Sequence, residues 1–167
     1  MERRVLCNDL QEPEGPVCLP DGQIYVVEMA HARNCVSRID AHGRRHLVGH
    51  PGGRPNGLAI DGDGNLWVAG GEGERLVRMG ADGTILNAYG GPEGQPYLWP
   101  NDLVFGENGL LYMTDSGIAP DAFVHGQAIR ADFRTCGYDG RVFEINPRNG
   151  HVLRLLDSGL RFLNGIA

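Results

Sequence analysis

Three copies of one motif set the fold class of this chain. Each copy begins with a polar residue, and an apolar triplet follows it. A turn glycine stands eight positions after the polar residue, and a second apolar run comes after that glycine. The copies span Glu14–Gly22, Asn56–Gly64 and Asn101–Gly109, and a fourth begins at Asn164–Ala167. The turn glycines are 42 and 45 residues apart. A period in the forties is the length of a β-propeller blade.

Each repeat continues with two further segments in which apolar and polar residues alternate. They are Val36–Ile39 and His46–Val48, Leu76–Met79 and Ile85–Ala88, and Val142–Ile145 and Val152–Leu156. Such alternation predicts half-buried strands, and Asp-Gly and Asn-Gly pairs supply the positive φ angles of hairpin turns. We therefore predict an all-β propeller domain over residues 1–167 with four-stranded antiparallel blades. The blades are predicted over residues 14–55, 56–100 and 101–163, with the first strand of a fourth blade at 164.

The third repeat carries an insertion, roughly Gly117 to Gly140, between its second and third strands. Long loops of this kind are more often functional than accidental. With three blades and one further strand, the chain is expected to end before a propeller could close. The prediction is thus an incomplete propeller with an insertion at one end of its third blade.

Composition and charge argue against several classes of function. The net charge of −6 disfavours nucleic acid as a partner, and no apolar stretch reaches the roughly 18 residues of a membrane span. The four cysteines lack CxxC spacing, which argues against a zinc or redox site. The N-terminal residues 1–4 lead into no apolar signal segment. We predict a cytoplasmic protein with neither nucleic acid nor membrane as partner, and its oligomeric state stays open.

The repeated polar residue has a geometric consequence in a propeller. The first strand of every blade lines the central channel, so Glu14, Asn56, Asn101 and Asn164 should converge on the axis. All four side chains carry oxygen, which suits a hard divalent cation. Asn56 before a glycine is also a common turn residue, and that alternative stays open. A buried Glu14 would need a partner, either a cation or an arginine.

These motifs resemble the gluconolactonase and senescence-marker-protein (regucalcin) family of six-bladed propellers. The resemblance rests on Glu14-Gly15-Pro16, Pro20-Asp21-Gly22, Pro55-Asn56-Gly57-Leu58-Ala59, Pro100-Asn101-Asp102, Thr114-Asp115 and Asn164-Gly165. It implies a divalent metal on the axis, held by a glutamate, an asparagine and an aspartate from different blades. Glu14 matches the glutamate and Asn164 the asparagine, whereas the aspartate is expected in a later blade. The implied cation is calcium, with magnesium, manganese or zinc as alternatives.

The resemblance also implies residues that act on a substrate. Asn101 matches a residue that binds substrate or lies near the metal, and we assign Asn56 and Trp99 to substrate binding too. Animal members have an arginine at the place of Trp99, so the chain resembles bacterial lactonases more. Trp99 and Tyr97 would offer an apolar wall for a lactone ring, or alternatively pack the inserted loop.

Asp115 ends the second strand of the third repeat, where bacterial relatives have an acidic residue near the metal. We predict Asp115 as the catalytic proton acceptor. The alternative is a strand-terminating aspartate that caps the turn through Ser116 and Gly117. Asp102 is predicted to be structural, bonding the loop backbone beside Asn101.

The function that follows from the resemblance is metal-dependent hydrolysis of a small-molecule lactone, a cyclic ester. A non-catalytic propeller of the NHL type that binds a ligand or a protein is the alternative, and a lyase-like or strictosidine-synthase-like propeller is a third. Fold alone does not separate these. With one implied ligand outside the chain, we expect weak cation binding and little activity from residues 1–167 alone.

Overall fold

The structure is a computed structural model that describes residues 3–126 and 128–167. The first two residues of the N-terminal segment and Gln127 of the insertion therefore lie outside the described part. Two four-stranded antiparallel sheets come first. One contains β1 (Pro13–Cys18), β2 (Ile24–Glu28), β3 (Cys35–Ile39) and β4 (Arg45–Gly49), in that order. The next contains β5 (Leu58–Ile60), β6 (Leu66–Gly71), β7 (Arg75–Met79) and β8 (Ile85–Tyr89), in that order.

The predicted insertion lies in sequence between the second and third strands of the third four-stranded sheet, and its two short strands form a separate sheet. After β9 (Pro100–Phe105) and β10 (Leu111–Asp115) come α1 (Pro120–Phe123), β11 (Val124–His125) and β12 (Ala128–Ile129). The sheet is then completed by β13 (Gly140–Asn146) and β14 (His151–Leu160). The predicted all-β architecture of four-stranded blades is confirmed, and the sheets are not closed into a ring.

Turn glycines join the first and second strands of every blade. Gly22, Gly64 and Gly109 have φ angles of 84°, 81° and 74°. Only glycine adopts this left-handed region without a steric cost from a Cβ atom. The spacing of these glycines therefore marks the blade period in the sequence.

Two apolar layers hold the three blades together. Successive side chains of β6 point alternately into one layer and into the other. Leu66 and Val68 pack towards the first blade, with partners such as Val27 and Val36. Trp67 and Ala69 point the other way, towards the third blade. All residues of β6 are buried because a blade in the middle of the stack is covered on both faces. Because successive side chains of a strand point to opposite faces, the apolar residues of β6 pack on both neighbouring blades.

The first strands of successive blades approach one another closely. A Cβ atom on Gly15 would lie 2.7 Å from the backbone nitrogen of Leu58 and 2.9 Å from the carbonyl oxygen of Asn56. A Cβ atom on Gly57 would lie 2.5 Å from the Cα atom of Asp102. Glycine is required at both positions because neighbouring backbone occupies the space of a side chain.

Residues 164–167, the predicted start of a fourth blade, do not form a strand. Their backbone instead bonds to side chains of the third blade. Asp102 Oδ2 accepts a hydrogen bond from the Ile166 backbone N–H at 3.0 Å, and Thr114 Oγ1 donates one to the Asn164 carbonyl oxygen at 2.7 Å. The segment therefore lies against the third blade through these two hydrogen bonds.

In the described part of the chain, no helix has the length and apolar character needed to cross a membrane. The one helix within residues 3–126 and 128–167, α1, has four residues.

Candidate functional site

One end of the blades collects the polar residues of the repeat. The first strand of a blade starts, and the second strand ends, at this end: Pro13 pairs with Glu28, and Pro100 pairs with Asp115. We call it the upper end. The insertion that follows Asp115 also begins at the upper end. The upper end therefore carries the sequence-predicted site residues and the long loop together.

The predicted axial residues follow one another around the upper end. Glu14 and Asn56 precede Gly15 and Gly57, whose backbones lie against the next blade, and Asn101 adjoins the Asp102 backbone that Gly57 meets. Asn164 continues the row, since its carbonyl oxygen is bonded by Thr114. The structure thus places these four predicted residues on consecutive inner segments. Glu14 and Asn164 are exposed to solvent.

Asn101 is the most constrained of the four. It is 3% exposed, and its Nδ2 atom donates a hydrogen bond to Ser116 Oγ at 3.0 Å. Ser116 Oγ in turn donates to the Leu163 carbonyl oxygen at 3.0 Å. Asn101 Oδ1 has no hydrogen-bond partner among the described residues. A buried amide oxygen without a partner is costly, and such an atom is a candidate ligand for a cation or a polar substrate group.

The donor set fits a hard cation better than a soft one. Glu14, Asn101 and Asn164 offer one carboxylate and two amides, all oxygen donors of the kind that calcium and magnesium prefer. The buried oxygen of Asn101 adds a donor that no described group uses. Within residues 3–126 and 128–167, no three His, Cys, Asp or Glu side chains form a metal cluster. The candidate cation site therefore consists of one carboxylate and two amide side chains.

Asp115 is fully buried, and its contacts are those of a structural carboxylate. Its Oδ2 atom accepts a hydrogen bond from the Leu98 backbone N–H at 2.7 Å. Its Oδ1 atom accepts bonds from the Trp99 and Gly117 N–H groups at 3.1 and 2.9 Å. The guanidinium of Arg141 lies 3.5 Å from Oδ2. These contacts favour the turn-capping alternative for Asp115 over the predicted role as proton acceptor.

Trp99 is 6% exposed and lies within the protein. Its ring makes edge contacts with Phe123 and Phe162, at centroid distances of 5.9 and 6.0 Å. Tyr97 packs edge-on against Phe143 at 5.2 Å in the layer between the second and third blades. The packing alternative is thus favoured for both rings, because neither presents a face to a substrate.

Asp102 has the structural role that the sequence suggested. Besides binding Ile166 N–H, its carboxylate accepts a bond from the Leu103 N–H at 2.9 Å. The sequence did not indicate that Asp102 would bind Ile166, because the two residues are 64 positions apart in the chain.

Glu74 is a candidate that the repeat motifs did not reveal. It lies in the turn between β6 and β7 at the upper end, and its φ angle of 58° is unusual for a residue with a side chain. Its Oε2 atom is buried without a hydrogen-bond partner in the described structure. Burial, followed by the negative charges of Asp115 and Asp121, raises the pKa of Glu74 to about 7. Only its departure from the Asp-Gly turn pattern, in Glu72-Gly73-Glu74, signals it in the sequence.

A carboxyl group with a pKa near 7 exchanges protons at neutral pH, which is what a general acid or base requires. Glu74 lies between the second and third blades, close enough to Asp115 for their charges to interact. Asp115 adjoins Ser116, which binds Asn101. The upper end therefore combines candidate cation ligands with a titratable carboxylate.

Comparison with known proteins finds relatives among the lactonases. A gluconolactonase from Zymomonas mobilis is 28% identical over 98% of this chain and 47% of its own length. An L-arabinolactonase from Azospirillum brasilense is 40% identical over 59% of this chain and 33% of its own length. The chain thus spans less than half the length of these curated relatives. The solved structure of a gluconolactonase from Xanthomonas campestris shares the fold, with a TM-score of 0.69 and 21% identity over 91% of this chain and 50% of that one.

A family profile decides the assignment. The profile described as SMP-30/gluconolactonase/LRE-like region matches residues 3–114, about two thirds of the sequence. The match includes Glu14, Asn56 and Asn101, and it ends at Thr114, just before Asp115. The resemblance inferred from the motifs is thereby confirmed, and the chain belongs to the SMP-30/gluconolactonase/LRE-like family.

Proposed function

We propose that this protein is a metal-dependent lactone hydrolase whose site lies at the upper end of the inner strands. The observation that carries the proposal is the buried, unbonded Oδ1 atom of Asn101, in a row with Glu14 and Asn164. Relatives named gluconolactonase and L-arabinolactonase support lactones as the substrate class.

Opening a lactone requires attack of water on the ester carbonyl and departure of the ring oxygen. A divalent cation held by Glu14 and Asn164 would polarise the carbonyl and lower the pKa of water, as calcium or a similar ion can. Because Asn101 Nδ2 is fixed on Ser116, its Oδ1 atom is left to accept a hydrogen bond or to bind the cation. Asn101 is therefore suited to position a polar group rather than to react.

Glu74 is our candidate for proton transfer, in place of Asp115. Its carboxylate would take a proton from water as the new C–O bond forms at the carbonyl carbon. It would then return the proton to the ring oxygen as the ester C–O bond breaks, giving a hydroxy acid. A pKa of about 7 allows both halves of this cycle at neutral pH. Asp115 holds the adjoining loop through backbone N–H groups and is not free for this task.

The test is ring opening of γ-butyrolactone and D-glucono-1,5-lactone by the purified chain, followed by acid release in a pH-stat. We expect slow turnover above the spontaneous rate that rises with added calcium and disappears with a chelator. Glu14→Gln should remove the calcium-dependent part of the rate. The matched control is Glu107→Gln, an exposed glutamate in the β9–β10 turn at the opposite end of the blade.

Two results would contradict the proposal. A folded wild-type chain that never exceeds the spontaneous rate, with any divalent cation, would remove lactone hydrolysis as its function. Equal calcium-dependent rates in wild-type protein and Glu14→Gln would remove Glu14 from the site.

A further inference from the structure

The inserted segment forms an apolar pocket beside the candidate site. The cavity has a volume of about 630 Å³ and is lined by Phe123, Ile129, Phe133, Arg134, Tyr138, Arg161 and Phe162. Four of these side chains are aromatic and one is aliphatic. A cavity of this size is typical of sites for small molecules.

An aromatic cluster builds one wall of this pocket, which we call the aromatic pocket. Phe123 and Phe162 stack at a centroid distance of 4.7 Å, and Tyr138 meets Phe162 edge-on at 5.8 Å. Trp99 supports Phe123 and Phe162 from within the protein. The wall is therefore fixed by packing between the insertion and residue 162.

The rim of the pocket is exposed and apolar. Ile129 is 56% exposed and Phe133 is 40% exposed, although both are large hydrophobic side chains. The guanidinium groups of Arg134 and Arg161 lie over the rings of Phe133 and Tyr138, each at 5.4 Å from the centroid. The polar groups at the mouth are thus cationic and can meet a carbonyl or carboxylate oxygen.

A short chain of contacts connects the aromatic pocket with the candidate site. Phe162 in the pocket wall is followed by Leu163, whose carbonyl oxygen is bonded by Ser116. Ser116 also accepts the hydrogen bond from Asn101. Asn164, a candidate cation ligand, is two residues from Phe162. The pocket wall at Phe162 and the candidate ligand Asn164 therefore belong to one short segment, which the Ser116 bond holds against Asn101.

We infer that the aromatic pocket binds the apolar substituent of the substrate, so that the preferred substrates are lactones with an alkyl or aryl side chain. This inference rests on the proposed lactone hydrolysis. Burying a hydrocarbon substituent against apolar walls lowers the free energy of binding. The hydroxyl groups of a sugar lactone would instead be buried there without hydrogen-bond partners.

Binding and turnover test the inference separately. The probes for binding are 3-alkylcyclopentanones, in which a methylene group replaces the ring oxygen of a γ-alkyl lactone, so that they keep its ring, carbonyl and substituent position but cannot be hydrolysed. Calorimetric titration of the purified chain should show affinity rising about fourfold for each added methylene, from methyl to pentyl. In the pH-stat, kcat/KM should rise in the same order from γ-valerolactone to γ-nonalactone, and exceed that for D-glucono-1,5-lactone.

Two matched substitutions locate the effect. Ile129→Ser changes an exposed rim residue of the pocket, and we expect it to weaken binding of the pentyl ketone at least fivefold while leaving the methyl ketone unchanged. Ile85→Ser changes an isoleucine of β8 that is 45% exposed and lies outside the pocket, and it should change neither. Circular dichroism checks that both variants fold.

The outcomes separate this inference from the proposed function. Affinity that is independent of chain length, or unaffected by Ile129→Ser, overturns the pocket assignment even if lactones are hydrolysed. Chain-length-dependent binding without hydrolysis of any lactone overturns the proposed function and leaves the pocket. If light scattering shows a dimer that Ile129→Ser dissociates while ketone binding persists unchanged, the rim is a contact between copies and the inference fails.

Discussion

Glu28 and Asp115 occupy the same position in the first and third blades. Each is the last residue of a second strand and pairs with the proline that begins the first strand of its sheet, Pro13 or Pro100. Both are fully buried. In the second blade the corresponding stretch is Gly70-Gly71, without a carboxylate.

The contacts of Glu28 show what this position does. Glu28 Oε2 accepts a hydrogen bond from the Gln11 backbone N–H at 2.9 Å, and Oε1 accepts one from Ser37 Oγ at 2.6 Å. Arg45 pairs with the same carboxylate. Although burial opposes it, the bonds from Ser37 and Arg45 keep the pKa of Glu28 below its usual value. Asp115 likewise binds the incoming segment and faces an arginine, so both carboxylates fasten the loop that leads into the first strand.

Substituting Asp115 tests this structural role. Asp115→Asn should lower the free energy of unfolding by about 2–4 kcal/mol, because backbone N–H groups lose acceptors and Arg141 loses its buried partner. Urea denaturation followed by circular dichroism measures the change. Asp63→Asn, with a side chain that is 87% exposed, should shift stability by less than about 0.5 kcal/mol. An Asp115→Asn chain of wild-type stability that has lost lactone turnover would instead favour catalysis.

The close approach of inner strands makes Gly57 irreplaceable. In Gly57→Ala the new Cβ atom would meet the Asp102 Cα at 2.5 Å and the Asn101 carbonyl oxygen at 2.7 Å. Since both contacts are backbone, the blades must separate, and we expect a loss of more than about 2 kcal/mol. Gly62→Ala is the control, because no described atom outside its neighbours lies within 4 Å of that Cβ position. Equal melting temperatures for the two variants would contradict the packing of the second blade on the third.

Glu74 should make stability depend on pH in a defined direction. Because its folded-state pKa is raised from 4.5 to about 7, the folded protein keeps this proton to a higher pH than the unfolded chain. Stability due to Glu74 is therefore fully present below about pH 4.5 and is lost as pH rises through about 7. Glu74→Gln should match wild type at pH 4.5 and exceed it by roughly 1–2 kcal/mol at pH 8, allowing for partial solvent access.

Thermal unfolding of both proteins at pH 4.5, 6, 7 and 8 measures this difference. Glu72→Gln, an exposed neighbour in the same turn, serves as the control and should show no such trend. A constant difference between Glu74→Gln and wild type across the range would mean that the carboxyl group does not titrate near 7.

Calcium should stabilise the chain through Glu14. A ligand at ten times its dissociation constant adds about 1.4 kcal/mol, or about 3–5 °C in melting temperature for a chain of this size. Differential scanning fluorimetry with 0–20 mM calcium should show this shift in wild-type protein and in Glu107→Gln. Glu14→Gln should lose most of it. The same shift in all three proteins would place the cation elsewhere.

The blade architecture could be predicted because its determinants are local. Turn glycines at a fixed period and alternation along segments such as Leu76–Met79 determine where strands begin and pair. The insertion after Asp115 was evident as an interruption of that period. At 164–167 the described structure has no strand, and this segment bonds to the Asp102 and Thr114 side chains; the start of a fourth blade there stays a prediction. Calcium, the cytoplasmic location and the ligand roles of Glu14 and Asn164 stay predictions.

The sequence by itself determined the repeat, its four-stranded unit and the family, since strand periodicity and turn chemistry are properties of neighbouring residues. Only the tertiary structure decided what the buried polar groups do. Asp115 and Glu74 are both acidic residues next to turns, yet one is surrounded by backbone donors and an arginine, and the other is buried with an oxygen left unbonded in the described structure. That difference arises from contacts between segments far apart in the chain, which no local pattern encodes.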